Sequence, residues 1–395
     1  IEMPTIITRI TEGTFYNCEK LFNLKIHGDL QYIDKYAFEG CKAMKTFDFG
    51  NSLKEIGYQA FRNCKSLEEA IMPDTITGLG GYIFESCISL KKVHINEGRV
   101  NIVQGLFDGC VNLQEINIPD TVVNIYENAF YGCEKLSAIK LPNSLKVIEE
   151  RAFYKCSNLE DVELPSNLSK IEDSAFAYCA QIKEIVLPDS ITSLGEFVFY
   201  NCKSLRKVKL NEGRINIASN LFDNCQSLAE VKIPDSVQLI RSYAFRKCAS
   251  LDTLVLPAEL KEIESRAFED AKIKTIEFSG TVEQLKKIKI SKTGNSAILN
   301  GTIKTLADGK TIVLVPDEKQ DKKDITVSKP DTAKSTNENN TYNINGIKAP
   351  SKVKLTSAKN GKGKKLTVKW KKVTGAKGYQ LQYALNKKFK KKKSI

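Results

Sequence analysis

Apolar residues return along this chain every 23 positions, a period far longer than that of a helix or a strand. From Phe130 to Ala152 they fall at Phe130, Cys133, Leu136, Ile139, Leu141, Leu145, Ile148 and Ala152. In the next stretch the same offsets hold Phe153, Cys156, Leu159, Val162, Leu164, Leu168, Ile171 and Ala175. The phenylalanine recurs without a slip at positions 15, 38, 61, 84, 107, 130, 153, 176, 199, 222, 245 and 268. A fixed period of this length predicts a solenoid, in which each repeat is one supersecondary unit covered by its neighbours.

Within a unit, Leu159, Val162 and Leu164 with charged residues between them predict a short strand. Pro165 ends it, since proline has no N–H to give to a ladder. The stretch before each phenylalanine, such as Glu149 to Phe153, predicts a tight helical or 3₁₀ turn that returns the chain. One such unit cannot bury its own apolar layer, so the core has to come from stacking.

The succession of Cys, Leu, Ile and Leu-Pro, then Leu, Ile and Ala-Phe, resembles the BspA-like leucine-rich repeats of bacterial surface proteins over residues 1 to about 279. Where the general leucine-rich motif carries Asn or Cys after the strand, this chain has an aliphatic such as Leu145 or Leu168 and places its cysteine earlier. The resemblance implies a leucine-rich repeat solenoid of short parallel strands with helical or irregular returns. It also implies an extracellular or cell-surface location and a role in adhesion or protein binding.

Ile1, Met3, Pro4, Ile7 and Ile10 fall in register with the last part of a unit, so the expectation is a chain that starts inside a repeat. Residues 1–279 are expected to form the solenoid. Its last unit is shortened: Ala271 replaces the cysteine, and Ile273, Ile276 and Phe278 arrive one residue early. Residues 280–315 are expected to cap it, with a helical pattern from Val282 to Ile290 and strand-like runs at Gly301–Leu306 and Thr311–Val315. Residues 316–347 are polar and predict a linker. Residues 348–395 alternate as strands around Trp370 and Tyr379 to Tyr383 and resemble the first half of a fibronectin type III domain. A whole sandwich of that kind needs roughly 100 residues, so a partial all-β sandwich is expected.

Charge changes the picture only locally. The net charge of +13 belongs to residues 348–395, which hold seventeen lysines and no acidic residue; the remainder carries 43 basic against 47 acidic groups. The run Lys390 to Lys393 has no aromatic after Phe389 to stack on bases, so no specific nucleic-acid partner is expected. No run approaches the roughly 20 apolar residues of a membrane span.

All eleven cysteines sit three residues after a repeat phenylalanine. Neighbouring Cys α-carbons would fall within disulfide range at the strand spacing of about 4.7–4.9 Å, but side chains in a ladder run parallel rather than toward each other. No C-x₂-C spacing of a zinc site occurs either. A column of small buried hydrophobes with weak S–H donors is therefore expected, with no metal and no cofactor. Such unpaired thiols on an exported protein fit an oxygen-poor habitat or a core that no oxidant reaches.

The chain carries none of the motifs G-x-x-x-x-G-K-[ST], G-x-S-x-G or H-E-x-x-H, and its acidic residues read as dispersed. His27 and His94 read as surface residues. The expected activity is therefore non-catalytic.

What varies from unit to unit is the outward side of the strands, where a binding face is expected. Its candidate residues are Lys92, His94, Glu115, Lys140, Glu163, Glu184, Lys207, Lys209, Glu230 and Lys232. The units at Phe84 and Phe199 share one further feature, Asn96-Glu97-Gly98-Arg99 and Asn211-Glu212-Gly213-Arg214, placed 115 residues apart. This points to duplication of a five-repeat block, in which the motif is either an inherited turn variant or, with Arg99 and Arg214 on the rim about 24 Å apart at the strand spacing, a pair of contact points. Gly98 and Gly213 would allow a turn of positive φ. The functional expectation is an adhesion or ligand-binding region of an exported bacterial surface protein, monomeric, whose partner is a protein or a surface polysaccharide. The alternative is an accessory region of a secreted peptidase or cell-wall hydrolase whose catalytic domain lies outside this sequence.

Overall fold

Each 23-residue unit makes one coil, and successive coils lie on one another in register. The structure, a computed structural model, describes residues 1–314 apart from residues 5, 27, 28, 96 and 99, and beyond them the backbone of four strands. The chain divides into two units, Ile1–Asp321 and Lys322–Ile395.

In the first unit every coil contributes to a column of phenylalanines. Phe15 is nearly covered and Phe38 to Phe268 are buried. Successive rings stack from Phe15 to Phe268 with centroids 5.1–6.0 Å apart and planes within 27° of parallel. Such offset stacking adds to the burial of each ring.

The strands form two parallel ladders, where the sequence predicted one. The first contains the anticipated strands, among them Glu69–Ile71, Lys92–His94 and Glu115–Asn117, then Glu184–Val186, Lys207–Lys209 and Glu230–Lys232. Partners differ by one repeat, so Glu184 lies beside Lys207 and Lys207 beside Glu230. The second ladder uses two-residue strands such as Asn124–Ile125, Val147–Ile148 and Lys170–Ile171, again parallel. Its apolar members occupy the predicted inward positions, but two residues leave no alternation to mark a strand.

The return turn differs from the expected helical one. Around Phe153, Arg151 and Lys155 take φ of 53° and 60°. Residues two before and two after every repeat phenylalanine share this left-handed conformation, from Gly13 and Asn17 to Arg266 and Asp270. Alternate amides consequently point in different directions. Ala152, Tyr154 and Cys156 donate within the coil, to Glu149, Arg151 and Phe153, whereas Arg151, Phe153 and Lys155 donate to Asp173, Ala175 and Ala177 of the next coil at 2.8–3.0 Å.

Residues 280–314 add one more coil of different build. The short helix Val282–Leu285 starts with a capping box between Thr281 and Gln284. Strand Lys289–Ile290 extends the second ladder, Thr302–Thr305 extends the first, and Thr311–Val313 closes it with an antiparallel pairing. In the second unit Leu355–Gly361 pairs antiparallel with Lys365–Trp370, and Gln382–Ala384 with Lys392–Ser394. The expected linker at 316–347 lies outside the described residues.

A side chain in the left-handed region costs on the order of 1–2 kcal/mol, whereas a glycine there loses only about 0.5–1 kcal/mol of chain entropy. Lys155→Gly should therefore gain about 0.5–1 kcal/mol in urea unfolding, and Lys155→Val, β-branched at a positive φ, should lose more than 1 kcal/mol. Identical midpoints for the two variants would show that this turn geometry does not limit stability.

Candidate functional site

Residues of the first ladder alternate, one side chain entering the core and the next leaving it. Lys92 and His94 are exposed on either side of buried Val93, and Lys207 and Lys209 on either side of Val208. Glu115, Glu184, Glu230 and Lys232 are exposed in their strands, and Lys140 and Glu163 just beyond theirs. All ten therefore share one face. Exposed Ile71 and Val186 lie on it too, at 59% and 56% of their full surface, which makes them its largest apolar steps.

Charge on this face is paired along the stack. Lys92 Nζ lies 3.7 Å from Glu115, Lys207 Nζ 3.2 Å from Glu230 and Lys232 Nζ 3.4 Å from Glu212. Exposed pairs of this kind contribute about 0–1 kcal/mol each, so their charges remain available to a partner. Among the described residues Lys209 has no ion-pair partner. At Ala138 the small side chain leaves a depression of about 790 Å³, lined by Lys140, Asp161, Glu163 and Asp120. Asp120 was not among the expected residues; its place next to Pro119, where the strand ends, was the only hint.

Of the two expected rim arginines, the structure describes Arg214, and it is not a free cation. Arg214 is half-buried: its Nε donates to Asn211 Oδ1 at 2.9 Å and its Nη1 to Asn216 O at 3.4 Å, and burial pulls its pKa down. Buried Asn211 in turn donates to Ile191 O. Arg214 thus braces its own turn. Arg99 and His27 lie outside the described residues. Gly98 and Gly213 take φ of 78° and 75°, and a Cβ there would meet nothing, so backbone conformation alone calls for glycine.

The thiols are sealed. All eleven are free; Cys18 is exposed and the other ten are buried. Each buried Sγ donates to the carbonyl of a repeat phenylalanine 26 residues earlier, as Cys156 does to Phe130 at 3.2 Å. Burial, reinforced by neighbouring thiols, pushes Cys41 up to about 12, and burial raises those deeper in the column as well. Among the described residues no group of three His, Cys, Asp or Glu could hold a metal, and no helix is long and apolar enough to cross a membrane.

On the opposite, turn edge the structure gathers acids that read as dispersed. The residue after each repeat phenylalanine forms a column in which Arg62 lies 3.2 Å from Glu39 and 3.0 Å from Glu85. Asp108 follows, with no ion-pair partner among the described residues. Burial and then the charge of Glu85 raise its carboxyl to about 7, with Arg62 opposing. Further along, buried Asp223 accepts two bonds from Arg246 at 2.9 and 2.6 Å. Comparing positions 23 apart, rather than neighbours in sequence, would have found this column.

The BspA type leucine-rich repeat region matches residues 1–102, 77–188 and 169–295, in six copies. The chain belongs to the BspA-type leucine-rich repeat family. A leucine-rich repeat protein from Bacteroides ovatus ATCC 8483 has a similar structure, with a TM-score of 0.67, 29% identity and 73% of each chain covered. A leucine rich cell surface protein from Faecalibacterium prausnitzii A2-165 is 25% identical with a TM-score of 0.47, over 73% of this chain and 89% of its own. No curated protein matches the chain.

Two outcomes follow from this BspA-type geometry. In the native protein a thiol reagent should label Cys18 alone, and the other ten only on unfolding; labelling of several thiols without unfolding would contradict the sealed column. The unfolded Asp108 carboxyl titrates near 3.9, so between about pH 4 and 7 the native state holds a proton that the unfolded chain releases, and stability falls as pH rises through that window. Asp108→Asn should accordingly melt above the parent at pH 7.5, by about 1 kcal/mol for a carboxyl still partly wetted, and match it near pH 4. A gap that does not change with pH would contradict this assignment.

Proposed function

We propose that this region is a non-catalytic adhesion or ligand-binding part of an exported bacterial surface protein, and that the outward face of the first ladder is its contact surface. The observation that carries the reading is the contrast between the two sides of that ladder. Inward positions hold one apolar set, buried or partly buried, whereas Lys92, His94, Glu115, Lys140, Glu163, Glu184, Lys207, Lys209, Glu230 and Lys232 present a varied charged surface on a rigid frame. Rigid scaffolds of stacked repeats use extended faces in this way. Membership of the BspA-type family supports a binding role, and the cell-surface placement rests on the resemblance alone.

In this proposal residues 1–279 are the receptor solenoid, 280–315 its cap, 316–347 a linker and 348–395 part of a fibronectin type III-like spacer. The two antiparallel strand pairs of the second unit agree with a spacer of β structure. Arg99 and Arg214 belong to the rim of the face, Arg214 acting through the turn it braces.

The test is capture of purified extracellular-matrix proteins and cell-wall polysaccharides by the parent and by the Lys207→Glu, Lys209→Glu, Lys232→Glu variant. Reversing three exposed charges should leave thermal unfolding within about 1 kcal/mol of the parent and weaken capture. Capture unchanged by the triple reversal would take the ladder face out of consideration.

A further inference from the structure

We propose that the ladder face carries two equivalent docking patches, one in each half of the five-repeat duplication, and that its partner is a protein presenting one epitope twice about 24 Å apart. The proposal rests on the ladder-face reading above and goes beyond it by naming the number of contacts, their spacing and the chemistry of the partner.

The duplication supplies an internal control. Every residue of the first block has a counterpart 115 positions later that has drifted for the same time. On the turn edge most side chains have changed: Tyr58 corresponds to Asp173, Arg62 to Ala177, Glu85 to Tyr200 and Ile88 to Lys203, and of the column that holds Arg62 only Asp108 returns, as Asp223. On the ladder face Glu69, Lys92 and Glu115 return unchanged as Glu184, Lys207 and Glu230, and exposed Ile71 returns as exposed Val186, while His94 and Asn117 of the same strands have become Lys209 and Lys232.

Stability does not account for this retention. Neighbouring Glu68 pairs with Lys91 of the next coil at 3.2 Å, yet their counterparts Lys183 and Arg206 are both basic, and Lys183 pairs with Glu160 of the preceding coil at 2.9 Å. There the pair was not held through the duplication, so the fold does not require a fixed pair at an exposed position. At Glu69, Lys92 and Glu115 the sign and the residue are both held. The two sets also occupy matching three-stranded, three-residue sheets, Glu69–Ile71 with Lys92–His94 and Glu115–Asn117, and Glu184–Val186 with Lys207–Lys209 and Glu230–Lys232. Five coils at about 4.8 Å separate them, or about 24 Å.

The chemistry selects the partner. Each patch offers an exposed aliphatic next to a Glu–Lys–Glu row and no Phe, Tyr or Trp ring on which a sugar could lie. That suits a polypeptide with one apolar side chain flanked by charges of both signs. Two patches on one rigid frame gain by avidity only when the partner also repeats, as a tandem array or a symmetric dimer does.

The experiment pans a phage-displayed peptide library on the full chain, then makes the enriched peptide singly and as a tandem joined by about 20 Gly/Ser residues, which spans roughly 25 Å. Calorimetry should give two single peptides per chain, falling to one in Lys92→Glu and to one in Lys207→Glu. The tandem should bind at least 100-fold more tightly than the single peptide, and either variant should remove that gain. One peptide per chain, sensitive to only one of the variants, overturns the paired patches while leaving ladder-face binding intact. Binding indifferent to both variants, or no enrichment over an unrelated protein, overturns both readings. Binding of a cell-wall glycan that both variants abolish overturns the assignment to a protein.

Discussion

The hydrogen bond from the amide of each repeat phenylalanine to a carbonyl of the next coil is the constraint on which the rest of this solenoid depends. With its companions two residues to either side, it holds the turn edge of every coil at the strand spacing, where two- and three-residue strands alone would hold little. That spacing allows the phenylalanines to stack and places each buried thiol on a phenylalanine carbonyl. The donors reach the next coil only because the backbone goes left-handed on both sides of the ring. Side-chain-bearing residues such as Arg151, Lys155 and Tyr178 accept that conformation because three bonds to the following coil over-determine it.

A ladder built this way leaves an unmet donor wherever it stops, and buried donors go unpaired only rarely. At Phe268 the acceptor is not backbone at all. Buried Asn295 turns its Oδ1 to the Phe268 amide at 3.1 Å, while its Nδ2 donates to Glu264 O and Ser291 O. One side-chain amide thus replaces the carbonyl of a missing repeat and fastens the divergent coil to the regular ones. The shortened unit at Phe268 and the capping box at Thr281 serve the same change of build, since without a repeat partner the chain has to satisfy its own ends.

What could be read from the sequence followed from how far apart the informative residues stand. The phenylalanine and cysteine columns were legible because a 23-residue clock repeats them eleven or twelve times. The outward strand positions followed from alternation. The second ladder left no such mark, because Val147–Ile148 and Lys170–Ile171 are too short to alternate. The left-handed turn did leave one: the position two after the phenylalanine is Asn or Gly at Asn17, Gly40, Asn63, Gly109, Gly132, Asn201 and Asn224, the residues that tolerate positive φ best. Read unit by unit, Lys155 or Tyr178 conceals that preference. The acids around Arg62 escaped for the same reason, since they meet across coils and not along the chain. Arg214 shows the opposite limit, as nothing in Asn-Glu-Gly-Arg tells whether the arginine leaves the turn or folds back onto it.

The two edges of the coil therefore differ in what a substitution does. On the turn edge, side chains are half-buried in columns: Arg62 is held between two glutamates, and Arg246 covers an Asp223 that has no access to water. Removing one member there strands a partly desolvated charge, which is far more costly than losing an exposed pair. On the ladder face the backbone is satisfied by its neighbours above and below, the core is closed by the inward residues, and the outward charges sit in water. Substitution there leaves the fold nearly untouched. Identity that persists on such a face, as it does at Glu69, Lys92 and Glu115 and again at Glu184, Lys207 and Glu230, needs a cause outside the fold, and contact with another molecule is one that acts on this face and not on the turn edge.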